Sequence, residues 1–326
     1  MRAIAILLVL SSHLGAERFV PGGFGVTLFF FISGYLITGL MIREQDETNT
    51  ISISSFYIRR FLRLGPALMA MILTVSLFFL IINPIPPAQI FAAIFYYTNY
   101  YKIIFEPPTT PLDPMWSLAV EEHYYLLFPL AFSAFWGHRR RFLLALIAVT
   151  AVVLIWRFTL VLGWHASMNR TYLATDTRID SILYGAILAV LIKCYPAKVA
   201  AYSKLFWSAG IAALLASLIY RNAIFRETLR YSLQGLALIP LFYSVLFARL
   251  FLLVRVILES RPMIWIGKVS YSLYLWHFAV LLFADYEIPA RGPYWLALNI
   301  ALDFILVSCS YYLIEQHFQK IRQRFR

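Results

Sequence analysis

Residues 24–42 read FGVTLFFFISGYLITGLMI, a run without one charged side chain. A bilayer's hydrocarbon core is about 30 Å thick, and roughly 20 apolar residues in a helix cross it. Working outward, runs that meet or nearly meet this requirement recur at 3–15, 64–82, 117–136, 142–163, 179–194, 205–220, 231–254, 270–285 and 294–314. The expectation is an all-α integral membrane protein with about ten transmembrane helices. The composition agrees. Of 326 residues, 61% are apolar, 17% aromatic and 13% charged, against about 25% charged in an average soluble domain. Mean hydropathy is +0.74. Such a chain is neither a cytosolic globular enzyme, nor disordered, nor a disulfide scaffold. The simplest organisation is one membrane-embedded domain over 1–326, with no appended soluble domain and no cleavable signal peptide.

The net charge is +12, from 28 Lys and Arg against 16 Asp and Glu. In a membrane protein this excess reflects basic cytoplasmic loops and anionic lipid head groups. No basic-aromatic module argues for nucleic acid as a partner. The stretch 88–101, AQIFAAIFYYTNYY, decides the topology. As a full span it throws His138-Arg139-Arg140-Arg141 outside. As a re-entrant or interfacial segment it leaves most basic residues inside, Arg249 and Arg326 among them, with both termini cytoplasmic. The proline-rich segment 83–116 and the segment 164–178 then lie outside and read as structured loops.

Polar groups inside spans are costly, which makes them candidate functional residues. Arg2 and His13 are close to three helical turns apart, about 16 Å along one face. His13 is suited to accept and return a proton, or is simply hydrogen-bonded inside the helix bundle. Ser33-Gly34 fits either close ligand approach or small-residue helix packing. Arg60 and Arg63, at i,i+3, can grip one phosphate or serve as topological anchors. In Asp113-Pro-Met-Trp116-Ser117-Leu-Ala-Val-Glu121-Glu122-His123, Ser117 and Glu121 share a face, and two adjacent carboxylates entering a membrane helix are hard to explain as packing. Asp176-Thr-Arg178-Ile-Asp180 reads equally as a self-satisfied ion cluster. Ser270, Tyr274 and His277 share one face of another span. Arg157 is a buried charge whose partner the sequence does not name. Cys194 and Cys309 lie in apolar runs and indicate no redox compartment. No Walker A loop argues for ATP-driven transport, and no spacing argues for a metal.

In chain order these residues resemble the acyltransferase 3 family, polytopic membrane enzymes that O-acylate glycans and some small molecules. The family's R-x10-H pattern falls on Arg2 and His13. Its FF-x-x-SG falls, one residue loosely, on Phe30-Phe31-Ile32-Ser33-Gly34. R-x-x-R falls on Arg60 and Arg63, W-S-L-x-x-E on Trp116, Ser117, Leu118 and Glu121, and D-x-R-x-D on Asp176, Arg178 and Asp180. S-Y-x-x-Y-L-x-H falls on Ser270, Tyr271, Tyr274, Leu275 and His277. Two features depart from the pattern. The acidic residue before the first Arg is missing, and the terminal E-x-P is Glu315-Gln316-His317 here.

The resemblance implies a multi-pass enzyme of the inner (plasma) membrane. It would move an acyl group, by default acetyl, from a cytoplasmic acyl-CoA co-substrate to a hydroxyl of an extracytoplasmic glycan or small molecule, with no permanently bound cofactor. Arg60 and Arg63, helped by Arg2, would hold the CoA phosphates. His13 would be base or acyl carrier, and Glu121 would orient it or activate the acceptor. Asp176 and Arg178 would position the sugar. Ser33, Gly34, Arg178 and Tyr274 are oxyanion candidates, with Trp116, Ser117 and His277 lining the site. A transporter or flippase of an acyl or glycan-lipid substrate accounts for buried charges as well, although no inverted repeat stands out.

Overall fold

The computed structural model describes residues 1–248, 251–288 and 290–325, and among them every regular element is a helix. Arg249 and Arg326, counted above toward the cytoplasmic charge, lie outside the described residues. The helices begin with α1 (Arg2–Ser11), α2 (Gly22–Thr48), α3 (Ile53–Ile82), α4 (Pro87–Ile94), α5 (Thr98–Phe105) and α6 (Met115–Phe135). They continue with α7 (Arg139–Phe158), α8 (Met168–Leu173), α9 (Thr175–Cys194), α10 (Pro196–Ile219) and α11 (Ala223–Glu227). Last come α12 (Leu229–Phe247), α13 (Leu252–Leu258), α14 (Arg261–Glu287), α15 (Pro293–Cys309) and α16 (Gln316–Arg322).

Among the described residues, seven helical stretches are long and apolar enough to cross a membrane: Gly22–Thr48, Ile53–Ile82, Met115–Gly163, Pro196–Ile219, Leu229–Phe247, Arg261–Glu287 and Pro293–Phe325. The ten runs of the sequence differ from these seven for identifiable reasons. Met115–Gly163 contains two runs, α6 and α7, joined through one tight turn at Trp136–His138. Arg2–Ala16 is apolar but short. Helix α9 carries Asp176, Arg178, Asp180 and Lys193, and apart from Ile179 it is buried from Thr177 to Val190. A helix covered on all faces is sheathed by other helices, so its charges meet protein instead of lipid.

The chain forms two compact units, each assembled from segments far apart in sequence. The first comprises Met1–Ala5, Gly23–Ile51 and Val120–Ile264. Here α9 packs against α7 and α12, and α12 against α10. Helices α2 and α9 approach so closely that a Cβ on Gly34 would stand 1.9 Å from the Ile182 carbonyl oxygen, and one on Gly185 would stand 1.9 Å from that of Phe31. Lipid tails are as apolar as leucine, so helix association in a membrane rests on such close packing and on hydrogen bonds. Gly34 is accounted for by this contact. The 164–178 loop is ordered by α8, whose N-cap Ser167 accepts from the Arg170 backbone N–H at 3.3 Å.

The second unit comprises Ile6–Gly22, Ser52–Ala119 and Trp265–Arg326. Ser52 caps α3 by accepting from the Ser55 N–H, and α3 packs on α16 and on the wide turn Ser310–Glu315. Tyr271 on α14 donates to the Leu64 carbonyl at 2.8 Å, and Ser272 bonds Ser310 at 2.9 Å and the Glu315 carboxylate. The stretch 88–101 falls in α4 and α5, two eight-residue helices broken where Tyr96 takes φ +56°. Neither is long enough to cross a bilayer. The loop that follows is tied down. Gln89 donates to the Pro108 carbonyl at 3.1 Å, and Lys102 pairs with Asp113.

Candidate functional site

Helix α1 ends in a wide turn, Ser12–Ala16, where Leu14 leaves helical geometry and Gly15 takes φ +100°. This left-handed position suits glycine, and it breaks the helix two residues after His13. Within the second unit, His13 Nδ1 lies 2.9 Å from Nε2 of His277 on α14. The two rings are nearly parallel, 12° apart in plane with centroids at 5.1 Å, and Phe278 meets His13 edge-on at 5.5 Å. His277 is buried and His13 half-buried. Nδ1 of His277 faces two backbone carbonyls of its own helix, Leu273 at 2.9 Å and Tyr274 at 3.0 Å.

One helical turn before His277, the Tyr274 hydroxyl lies 3.0 Å from the Pro114 carbonyl and 2.6 Å from Oγ of Ser117. Ser117 and Tyr274, from two separate sequence motifs, are thus brought together. Ser270 bonds the Gly267 carbonyl of its own helix at 3.0 Å. Trp116 is buried on α6. Arg60 on α3 is 8% exposed, and Arg63, one turn further, is half-buried.

In the first unit, Glu121 on α6 has both carboxylate oxygens engaged. Ser33 Oγ donates to Oε1 at 2.8 Å and the Tyr125 hydroxyl to Oε2 at 3.0 Å. Two donors on one carboxylate satisfy a charge in an apolar setting. The sequence motifs pair Glu121 with neither residue, although Tyr125 stands at i+4 and could have been found by spacing. Arg2, also in this unit, is half-buried.

Other buried charges of this unit are held within the chain. Arg157 finds the partner that the sequence left unnamed. Its guanidinium grips Asp180 with two parallel bonds, 3.0 and 2.8 Å, and donates to the Thr177 carbonyl at 2.6 Å. Ser232 on α12 donates to Asp180 at 2.8 Å. Both charged side chains are 0% exposed. Arg178, equally buried, reaches Thr27 Oγ1 at 3.1 Å and lies over the Tyr231 ring at 4.0 Å, with Tyr172 and Phe30 at 5.1 and 5.5 Å. These rings offer their negative faces to the cation. No motif spacing marked Thr27, Tyr172 or Tyr231.

Asp176 is held by Arg170 through two bonds and by Trp156 Nε1 at 2.6 Å. Burial pushes its carboxyl up, but the hydrogen bonds from Arg170 and Trp156 and the Arg170 charge outweigh this and hold it below the usual carboxylate range.

A half-buried imidazole held through one nitrogen can do acid-base or nucleophilic chemistry. A fully buried ion pair whose members grip each other holds helices together instead.

The family model described as an acyltransferase domain matches residues 1–314. Two proteins of Staphylococcus aureus strain COL are among the relatives found. One, named as a candidate O-acetyltransferase, is 34% identical over 98% of this chain and 56% of its own length. The other, the O-acetyltransferase OatA, is 32% identical over the same shares of the two chains. The chain therefore spans little more than half the length of these relatives. No solved structure matches.

Proposed function

Because the chain belongs to this acyltransferase family, we propose that it is a membrane O-acyltransferase. It moves an acetyl group from a cytoplasmic acyl-CoA to a hydroxyl of an extracytoplasmic glycan. The observation that carries this reading is the His13–His277 pair, an imidazole fixed through Nδ1 inside an apolar chain with its second nitrogen available for chemistry. The matched family and the O-acetyltransferase names of the relatives support the reaction class, and the membrane-crossing helices support a multi-pass protein of the inner membrane. In this reading about ten helices span the membrane, both termini are cytoplasmic, and α4 and α5 stay at one surface.

His13 takes the proton of the acceptor hydroxyl as its oxygen attacks the thioester carbonyl. The C–S bond breaks, and the leaving thiolate recovers the proton from His13, so acceptor and thioester become ester and thiol. Arg60 and Arg63 hold the phosphates of the donor, and the Tyr274 hydroxyl, turned from the Pro114 carbonyl, donates to the developing oxyanion.

The test is mass analysis of surface glycans from cells producing the wild-type chain or His13→Ala. The expected result is an added acyl mass with wild type and none with the variant. Acylation at wild-type level by His13→Ala would remove His13 from the mechanism. Movement of a glycan lipid with no change in acylation would favour a flippase. Arg60→Ala with Arg63→Ala should raise the KM for acetyl-CoA about tenfold or more, and an unchanged KM would make these arginines topological anchors only.

A further inference from the structure

We infer that His277 is a positioning residue that sets the tautomer of His13, making Nε2 of His13 the basic nitrogen. It rests on the reading of His13 as the proton acceptor. The argument is one of donors and acceptors. Nδ1 of His277 lies 2.9 and 3.0 Å from the carbonyl oxygens of Leu273 and Tyr274. A carbonyl oxygen only accepts, so Nδ1 of His277 carries a hydrogen and donates it to them. At 3% exposure, and with the nearest side-chain partner another imidazole, His277 is neutral, because a second proton would leave a cation in an apolar interior. A neutral imidazole protonated at Nδ1 has its lone pair on Nε2. That Nε2 lies 2.9 Å from Nδ1 of His13. One of these two nitrogens must donate, and His277 Nε2 has no proton to give. Nδ1 of His13 is therefore the donor, and the lone pair of His13 is on Nε2.

The chain of bonds thus runs from two helix carbonyls through His277 to His13, and its direction is fixed at the backbone end. It has two consequences. The resting state presents a lone pair, as proton removal from a hydroxyl requires. When Nε2 of His13 takes that proton, the imidazolium finds an acceptor already on its other nitrogen, and the existing bond becomes charge-assisted. The turn Ser12–Ala16 leaves helical geometry at Leu14 and Gly15 (φ +100°), immediately after His13, and His277 supplies an orientation for the ring at this break. His277 thereby acts through His13 instead of touching the substrate.

The experiment uses the full chain in lipid nanodiscs with ¹⁵N-labelled histidine, the His13 signals being those lost in His13→Ala. In wild type, His13 should show a protonated Nδ1 and an unprotonated Nε2, and a protonated Nε2 would overturn the inference. In His277→Leu the His13 signals should move to the mixed-tautomer position. For activity, membranes containing each variant receive acetyl-CoA and envelope glycan isolated from the same cells. His277→Leu should lower kcat about 10²-fold or more while the KM for acetyl-CoA stays within about twofold. His277→Gln, whose amide oxygen can accept from His13, should restore about a tenth or more of the wild-type kcat. A wild-type kcat in His277→Leu, an effect confined to KM, or equal losses in the Leu and Gln variants would each sink the positioning role. If His13→Ala is itself active, the proposed function has failed. If His13→Ala is inactive while His277→Leu is fully active, only the pairing has. The tautomer measured in wild type stands even if a His277 variant does not fold.

Discussion

The Arg157–Asp180 pair and the His13–His277 pair are both polar couples inside an apolar chain, and they are built in opposite ways. Arg157 and Asp180 are 0% exposed, doubly bonded to each other and further bonded to Thr177 and Ser232. They are full ions bonded to each other through both terminal guanidinium nitrogens, and they join α7, α9 and α12. His13 is half-buried, stands on a broken helix end, and is held through one ring nitrogen. A rule that marks every polar group within a span as functional selects both couples. What separates them is charge pairing and burial. A fully buried charge gripped by its counter-ion supports the fold, and a half-buried ring held through one nitrogen can take part in a reaction.

The comparison can be broken by exchanging the two phenotypes. His13→Ala should lower acyl transfer about 10³-fold or more while thermal unfolding shifts by no more than about 2 °C, and comparable losses in both would make His13 structural. Arg157→Leu should do the reverse, since it strands a buried carboxylate at a cost of about 3–5 kcal/mol, read as poor accumulation or a large fall in unfolding temperature. Adding Asp180→Leu should recover much of that loss, and a double variant no better than the single one would show that the pair is not the unit. Gly185→Ala is a milder test of the same scaffold. Its Cβ would meet the Phe31 carbonyl oxygen at 1.9 Å, and the shift needed should cost about 1–3 kcal/mol. A neutral effect there would mean that α2 and α9 part readily.

The smallest effect belongs to Asp176, whose side chain is 38% exposed. Its carboxyl titrates below the ordinary value, so its bonds stabilise the protein above about pH 4, and that stability is lost as pH falls through the lowered value. Asp176→Asn should cost at most about 1 kcal/mol at pH 7 after solvent screening, with the gap closing as pH falls below the ordinary carboxylate range. A gap that stays constant over this range would assign the effect to shape instead of charge.

Much of this was legible in the chain. Charge scarcity and run lengths gave the helical membrane class, and the prolines of 83–116 marked an ordered loop, now seen tied by Lys102–Asp113 and Gln89. The motifs held His13, Glu121, Tyr274 and His277. Their partnerships were not legible, because helical spacing reports only neighbours on one helix. His13 meets His277 across 264 residues, Ser33 meets Glu121 across 88, and Arg178 meets Thr27 across 151. Gly34 was ambiguous for a related reason. A small residue looks the same in sequence whether a ligand or another helix comes close, and the Ile182 carbonyl shows that a helix does. The span count differed where a run is short, as in Arg2–Ala16, or carries its own charges, as α9 does.

The grip of Arg157 on Asp180 also bears on how the chain is made. The guanidinium emerges from the ribosome 23 residues ahead of its counter-ion, so α7 comes to the bilayer carrying a charge with nothing yet to neutralise it. An arginine near a helix end is tolerated there for a time by reaching toward the head groups. Until α9 arrives, α7 lacks the bonds that hold Arg157 in the finished protein. A pair that joins two helices at the end thus leaves the first of them with an unneutralised charge while the second is being made.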